Sequence, residues 1–292
     1  MFEGSTVAIV TPFKDGKVDE QKLRELVEFQ IKNGTSAIVP CGTTGESATL
    51  TSDEHDRVIE ICIEAANKRV PVMAGTGSNS TQEAVALTKH AAKVGANASL
   101  QVSPYYNKPS QEGLYRHFKA VADSVTIPII LYNIAGRTAV NIEPETIARL
   151  ARDCKNIIGV KEASGSLDQM SAVKALCPKD FMLISGDDSL TLPILAIGGK
   201  GVISVVANIA PRDVADLCKA FDAGNIKKAQ ELHFKLLPLV KAVFYETNPI
   251  PVKTAMGLMG LCAPDLRLPM CPISEKNLER LKIALTNYGL LK

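Results

Sequence analysis

The seven cysteines of this 292-residue sequence never form a CxxC pair. Cys41, Cys62, Cys154, Cys177, Cys218, Cys262 and Cys271 are odd in number and scattered, which argues against a disulfide framework and a zinc site and fits a reducing compartment. No block of like charge occurs either. The 33 basic residues face 31 acidic ones, so the footprint of a nucleic-acid binder is missing and small solutes are the expected partners. No apolar run approaches the roughly 18 residues of a membrane span, and the opening MFEGSTVAIVTPF lacks a basic segment followed by a long apolar one. Cytoplasmic residence is the expectation. Gly/Ser linkers and low-complexity tracts are absent. No GxGxxG follows the first strand-like run, where Val10-Thr11-Pro12-Phe13 leads into a polar turn, and this disfavours an open dinucleotide-binding sheet.

What is there is ordinary in bulk and regular in order. Hydrophobic residues make up 46% and charged ones 22%, enough for a substantial core. Short apolar runs alternate with amphipathic segments about every thirty residues. The strand-like runs are Val7–Val10, Ala37–Pro40, Pro71–Ala74, Ala98–Val102, Pro128–Tyr132, Ile157–Lys161, Phe181–Ser185 and Gly201–Val205. The segments that follow them are Asp19–Asn33, Asp53–Lys68, Thr81–Lys93, Gln111–Asp123, Pro144–Arg152, Leu167–Leu176, Leu190–Ile197 and Pro211–Phe221. Eight such units predict an α/β fold, a (β/α)8 TIM barrel, whose strands are apolar throughout because helices cover one face and side chains fill the other. After them Ile226–Phe244, Pro251–Gly260 and Glu275–Asn287 read as three helices with no strand between. The expected division is a catalytic barrel over 1–224 and a C-terminal helical domain over 225–292.

In such a barrel the chemistry sits at the carboxyl ends of the strands. Lys161 closes the sixth run. Desolvation there would lower its pKa and leave a neutral amine able to attack a carbonyl; the alternative is a lysine snorkelling or salt-bridged to Glu162. Tyr132 ends the neighbouring run, about 4.8 Å away across the sheet, where a phenol could shuttle protons or merely pack. The turn Cys41-Gly42-Thr43-Thr44-Gly45-Glu46-Ser47 can bend its N–H groups around a small anion, or simply cap the next helix. Arg137, on the loop after the fifth run, suits a carboxylate, although a lone loop arginine is usually just solvated. Gly186 in Ser185-Gly186-Asp187-Asp188 offers close approach. The four histidines show no ligand spacing, so no metal is expected.

These motifs resemble the class I pyruvate aldolase and lyase superfamily that contains the dihydrodipicolinate synthases and N-acetylneuraminate lyases. The resemblance runs the whole chain. It is carried by Gly42–Leu50, Ser103–Gly113, Gly159–Gly165, Asn248–Lys253 and Leu266–Met270. It implies a synthase that condenses pyruvate with L-aspartate 4-semialdehyde to 4-hydroxy-tetrahydrodipicolinate, at the head of diaminopimelate and lysine synthesis, with no cofactor. Lys161 would form the Schiff base, and Tyr132, Thr43 and Tyr106 a proton relay, Tyr106 reaching across a subunit interface. Thr44 would hold the carboxylate of pyruvate and Arg137 that of the semialdehyde, with Gly186 and Ile203 lining the pocket. The resemblance also implies a homotetramer built as a dimer of dimers, and feedback by L-lysine at Ser47, Ala48, His55, Asn79, Glu83 and Tyr105. Ser52 stands where some lysine-sensitive members carry histidine. A sugar-acid lyase of the same superfamily and a silent keto-acid-binding barrel are the rival readings.

Overall fold

The computed structural model describes residues 2–292. Its eight parallel strands are β1 (Gly4–Ala8), β2 (Ala37–Val39), β3 (Met73–Gly75), β4 (Ala98–Val102), β5 (Ile129–Asn133), β6 (Ile157–Glu162), β7 (Met182–Ser185) and β8 (Gly201–Ser204). Neighbours pair in sequence order, β8 pairs with β1, and the bridge Ile38↔Val72 joins β2 to the approach of β3, so the sheet closes on itself. The barrel helices are α1 (Glu20–Lys32), α2 (Ser52–Ala66), α3 (Thr81–Lys93), α4 (Gln111–Asp123), α5 (Pro144–Asp153), α6 (Leu167–Leu176), α7 (Thr191–Ala196) and α8 (Pro211–Asp222). Then come α9 (Ile226–Ala242), α10 (Ile250–Leu258) and α11 (Glu275–Tyr288).

Capping explains where several helices begin. The side chains of Asp19, Thr51, Ser80, Ser110 and Ser166 each accept a bond from a backbone N–H of the first turn, and Thr51 with Glu54 forms a capping box. Along the strands, side chains alternate between two layers. Ala8, Val39, Leu100, Ile130, Met182, Ile184 and Ile203 form the barrel interior, whereas Ile129, Leu131, Val160 and Leu183 pack outward under the helices. The terminal helices share a buried cluster with the barrel, in which Leu236, Val252 and Leu285 join Val7, Val10 and Val206.

Two features depart from the sequence pattern. The first strand begins at Gly4, three residues before the apolar run, because Ser5 and Thr6 are buried polar residues that hydropathy does not flag. The polar turn after Val10 is a small antiparallel hairpin, Phe13–Lys14 against Lys17–Val18. It reverses at Asp15-Gly16, both with positive φ, the turn chemistry that a two-residue hairpin demands. No helix among the described residues is long and apolar enough to cross a membrane.

Candidate active site

Inward alternation along β6 sends Gly159 and Lys161 into the barrel and Glu162 outward. Gly159 has to lack a side chain, since a Cβ there would sit 2.7 Å from the Met182 carbonyl oxygen. Lys161 therefore ends inside, at the carboxyl rim, only 6% exposed. Its ladder partner on β5 is Tyr132, and its Nζ lies 4.0 Å from the centroid of that ring. Glu162 is no ion-pair partner for it: that carboxylate accepts bonds from Asn133, Ser164 and Gln169 on the other face. Burial pulls the amine down to about 7, partly opposed by the charge of Asp188 and reinforced by that of Arg137. Burial likewise pushes the Tyr132 phenol up to about 12, with Arg137 and the Thr43 hydroxyl opposing. At neutral pH the pair thus comprises an amine with a large neutral fraction and a phenol that keeps its proton.

A cleft over this pair has a cavity volume of about 50 Å³, several times the roughly 10–15 Å³ that admits one water. Thr43, Thr44, Tyr132, Arg137, Lys161 and Gly186 all border it. Gly186 leaves no spare room, since a Cβ would come within 2.7 Å of Ala163 Cβ and 3.1 Å of Lys161 Cε. The threonine turn is held from beneath. Thr11 Oγ1 donates to the Gly45 carbonyl at 2.7 Å, and Glu46, in the left-handed region at φ 53°, pairs with Lys253 Nζ at 2.6 Å and accepts from the Arg267 N–H. Arg267 also grips Glu54 through two bonds of 2.6 Å, which hold that carboxyl down to about 2. The residues Asn248–Lys253 and Leu266–Met270 therefore lock the turn in place from the C-terminal segment.

Ile203 lies in the interior cluster beneath the cleft and does not border it. Tyr106 stands away from it within the single chain, at φ 72° with 90% of its surface exposed. His55 is buried with Nε2 3.0 Å from the Gly75 carbonyl, and burial lowers its pKa. Asn79 Nδ2 donates to the Tyr105 carbonyl, Glu83 accepts from Ser78 Oγ, and Ser47 and Ala48 belong to a single 3-10 turn before α2. These six line up on the loops and helix starts that follow β2, β3 and β4.

Sequence reasoning missed three contributors. Asn248 and Phe244, from the C-terminal segment, border the cleft, and Asp188 faces Lys161 electrostatically from a buried position. Asp188 accepts from Ser204 Oγ and from the N–H groups of Val205 and Val206, while burial raises its pKa. The Asn248-Pro249-Ile250-Pro251 cluster was the signal available in the sequence for the first of these. Among the described residues no group of three His, Cys, Asp or Glu is arranged to hold a metal, and all seven cysteines are free.

The profile of the dihydrodipicolinate synthetase family matches residues 1–288. The chain belongs to this family. A 4-hydroxy-tetrahydrodipicolinate synthase from Syntrophus aciditrophicus (strain SB) is 62% identical over 291 residues, with all of both chains covered. Among solved structures, the dihydrodipicolinate synthase of Aquifex aeolicus is 51% identical with a TM-score of 0.98 and covers 99% of each chain. The chloride-inhibited Acinetobacter baumannii synthase complexed with pyruvate is 46% identical with a TM-score of 0.97 and all of both chains covered. The Cyanidioschyzon merolae synthase with lysine bound is 42% identical, TM-score 0.97, covering 99% of each chain. Full-length identity at this level establishes the family's activity for the protein, an aldolase-type lyase that makes 4-hydroxy-tetrahydrodipicolinate on the diaminopimelate and lysine route, on a (β/α)8 barrel. The sugar-acid lyase and the silent barrel are thereby set aside.

Proposed function

We propose that Lys161 performs this reaction as the Schiff-base nucleophile toward pyruvate, and that L-aspartate 4-semialdehyde is the second substrate. The observation that carries the proposal is the Lys161 amine itself: buried, without an ion-pair partner among the described residues, and 4.0 Å from the Tyr132 ring. The neutral amine adds to the ketone of pyruvate, and loss of water gives an iminium. That iminium withdraws electrons from the adjacent methyl group, which loses a proton to form an enamine, and the enamine carbon bonds to the aldehyde carbon of the second substrate. The amino group of that substrate then attacks the imine carbon, the bond to Lys161 Nζ breaks, and the ring closes.

Protons move at each of these stages, and Tyr132, Thr43 and Tyr106 are the groups we assign to move them. Thr44 holds the carboxylate of pyruvate through its backbone, and Arg137 pairs with the carboxylate of the semialdehyde through two parallel bonds. Gly186 shapes the space around the adduct, whereas Ile203, expected to line the pocket, packs in the barrel interior without bordering it. The exposed ring of Tyr106 supports its completing a neighbouring subunit's site in a homotetramer of two dimers. Residues 1–224 are the catalytic unit and 225–292 the helical domain that clamps the threonine turn. Seven free thiols support residence in the cytoplasm. Ser47, Ala48, His55, Asn79, Glu83 and Tyr105 are assigned to L-lysine, which the Cyanidioschyzon merolae relative binds; titrating L-lysine into the steady-state assay tests this, an unchanged rate at millimolar lysine rejecting it.

Borohydride reduction in the presence of pyruvate, followed by peptide mass spectrometry, tests the central claim. One reduced pyruvate unit on the peptide carrying Lys161 is expected. No added mass, or label elsewhere, rejects it.

A further inference from the structure

The cleft contains one polar atom without an assigned job. Asn248 is 4% exposed and borders the pocket. Its Nδ2 donates to Thr44 Oγ1 at 3.0 Å, and its backbone carbonyl accepts from Arg137 Nη2 at 3.2 Å. Its Oδ1 is buried and has no hydrogen-bond partner among the described residues. An orphaned amide oxygen is costly unless something meets it, so an atom left this way at a binding site points to a ligand donor.

We propose that Asn248 Oδ1 accepts a hydrogen bond from the α-amino group of the aldehyde substrate, and so selects an amino aldehyde and prepares its nitrogen for ring closure. This rests on the proposed roles of Lys161 and Arg137. The amino group sits on the same carbon as the carboxylate that Arg137 holds, and Arg137 is braced against residue 248 itself. Among the other side chains bordering the cleft, Thr43 and Tyr132 are committed to the proton relay, Thr44 Oγ1 already accepts from Asn248, and none carries a carboxylate. An amide oxygen can only accept, which suits an ammonium or amine and nothing on the aldehyde's oxygen side.

The choice of a neutral acceptor also matters for the chemistry. The nitrogen has to lose a proton before it can attack the imine carbon, forming one C–N bond as the bond to Lys161 breaks and the proton passes to the departing lysine. A carboxylate in this place would pair with the ammonium and hold its proton on. The titratable or charged groups facing the site are Arg137, Lys161 and Tyr132, with the buried Asp188 acting on Lys161 from behind while held by Ser204, Val205 and Val206; Glu46 and Lys253, beside the threonine turn and on α10, are paired with each other.

The test compares Asn248→Ala and Asn248→Asp in the full-length enzyme, with the amino aldehyde as substrate and succinic semialdehyde, the same acid without its amino group, as competitive probe. Asn248→Ala is expected to raise KM for aspartate semialdehyde by about 10-fold or more, leaving the inhibition constant of succinic semialdehyde and the borohydride trapping of pyruvate unchanged. Asn248→Asp is expected to keep KM, lower kcat and move the acid limb of the kcat profile to higher pH. A parallel rise in KM and in the inhibition constant would show a purely structural role and overturn the proposal. So would an Asn248→Asp profile that matches the parent enzyme. Failure of the Lys161 assignment would appear separately, as absence of pyruvate trapping in the unaltered protein.

Discussion

Two lysines in this molecule are almost equally hidden and serve opposite ends. Lys161 is 6% exposed and Lys253 0%, each lies about the same distance over an aromatic face, 4.0 Å from Tyr132 and 4.2 Å from Phe13, and burial lowers the pKa of both. The difference is a carboxylate. Lys253 has Glu46 at 2.6 Å, which opposes deprotonation and makes it a strut between α10 and the threonine turn. Lys161 meets Asp188 only at longer range, with that carboxylate already engaged by Ser204, Val205 and Val206. Burial alone therefore does not make a nucleophile; burial without a partner does.

Exchanging the residues breaks the comparison most sharply at Lys161. Lys161→Met is expected to lower kcat/KM by about 1,000-fold and abolish pyruvate trapping while the fold persists, as read by steady-state assay and circular dichroism. The same variant should be more stable than the parent, because the folded chain holds this amine below its ordinary range. Between the folded value of about 7 and the ordinary 10.5, the unfolded chain binds more protons. The penalty is thus fully present below pH 7 and fades as pH rises toward 10.5, so denaturant midpoints of variant and parent should differ by a few kcal/mol at pH 6 and converge at high pH.

Lys253→Met leaves Glu46 buried without its cation and should cost about 3–5 kcal/mol in denaturant unfolding. Adding Glu46→Gln to it should recover much of that loss, whereas no second change restores activity to Lys161→Met. The smallest effect is expected from Gly186→Ala. Its Cβ would press on Ala163, the Glu162 carbonyl and the Lys161 stem, so a displaced amine should lower kcat by about 10-fold, and the rigid clash should lower stability by about 1–3 kcal/mol in denaturant unfolding.

Much of the fold and of the cleft is legible in the sequence, although the contrast between the two lysines is not, and the reasons are local. All eight barrel strands and eleven of the twelve helices left hydropathy patterns, since a strand buried on both faces reads as an unbroken apolar run and a helix start reads as a cap; the single turn of helix at Ala135–Thr138, which carries Arg137, was expected to be loop and is too short to show a period. Ser5 and Thr6 were hidden because they are buried polar residues, and the Asp15-Gly16 hairpin because two-residue strands leave no periodicity. At the cleft, Lys161, Tyr132, Arg137, Thr43, Thr44 and Gly186 are single polar or small residues at strand ends or the loops just after them, where the pattern makes them stand out. Asn248 lies more than a hundred residues from Arg137 and Glu46 more than two hundred from Lys253, so nothing local could pair them.

The order of apolar runs by itself determined the closed eight-stranded architecture and put Tyr132 and Lys161 at neighbouring strand ends; that they pair and share one side was decided by the register, which shifts between Ile129 and Ile130. Whether Lys161 would be charged, salt-bridged or free was decided only in three dimensions. A pKa is set by every dipole and charge within several ångströms and by the water excluded, and the groups that count here, Glu162 turned outward, Asp188 tied to the end of β8 and Arg137 braced on Asn248, come from separate turns of the barrel.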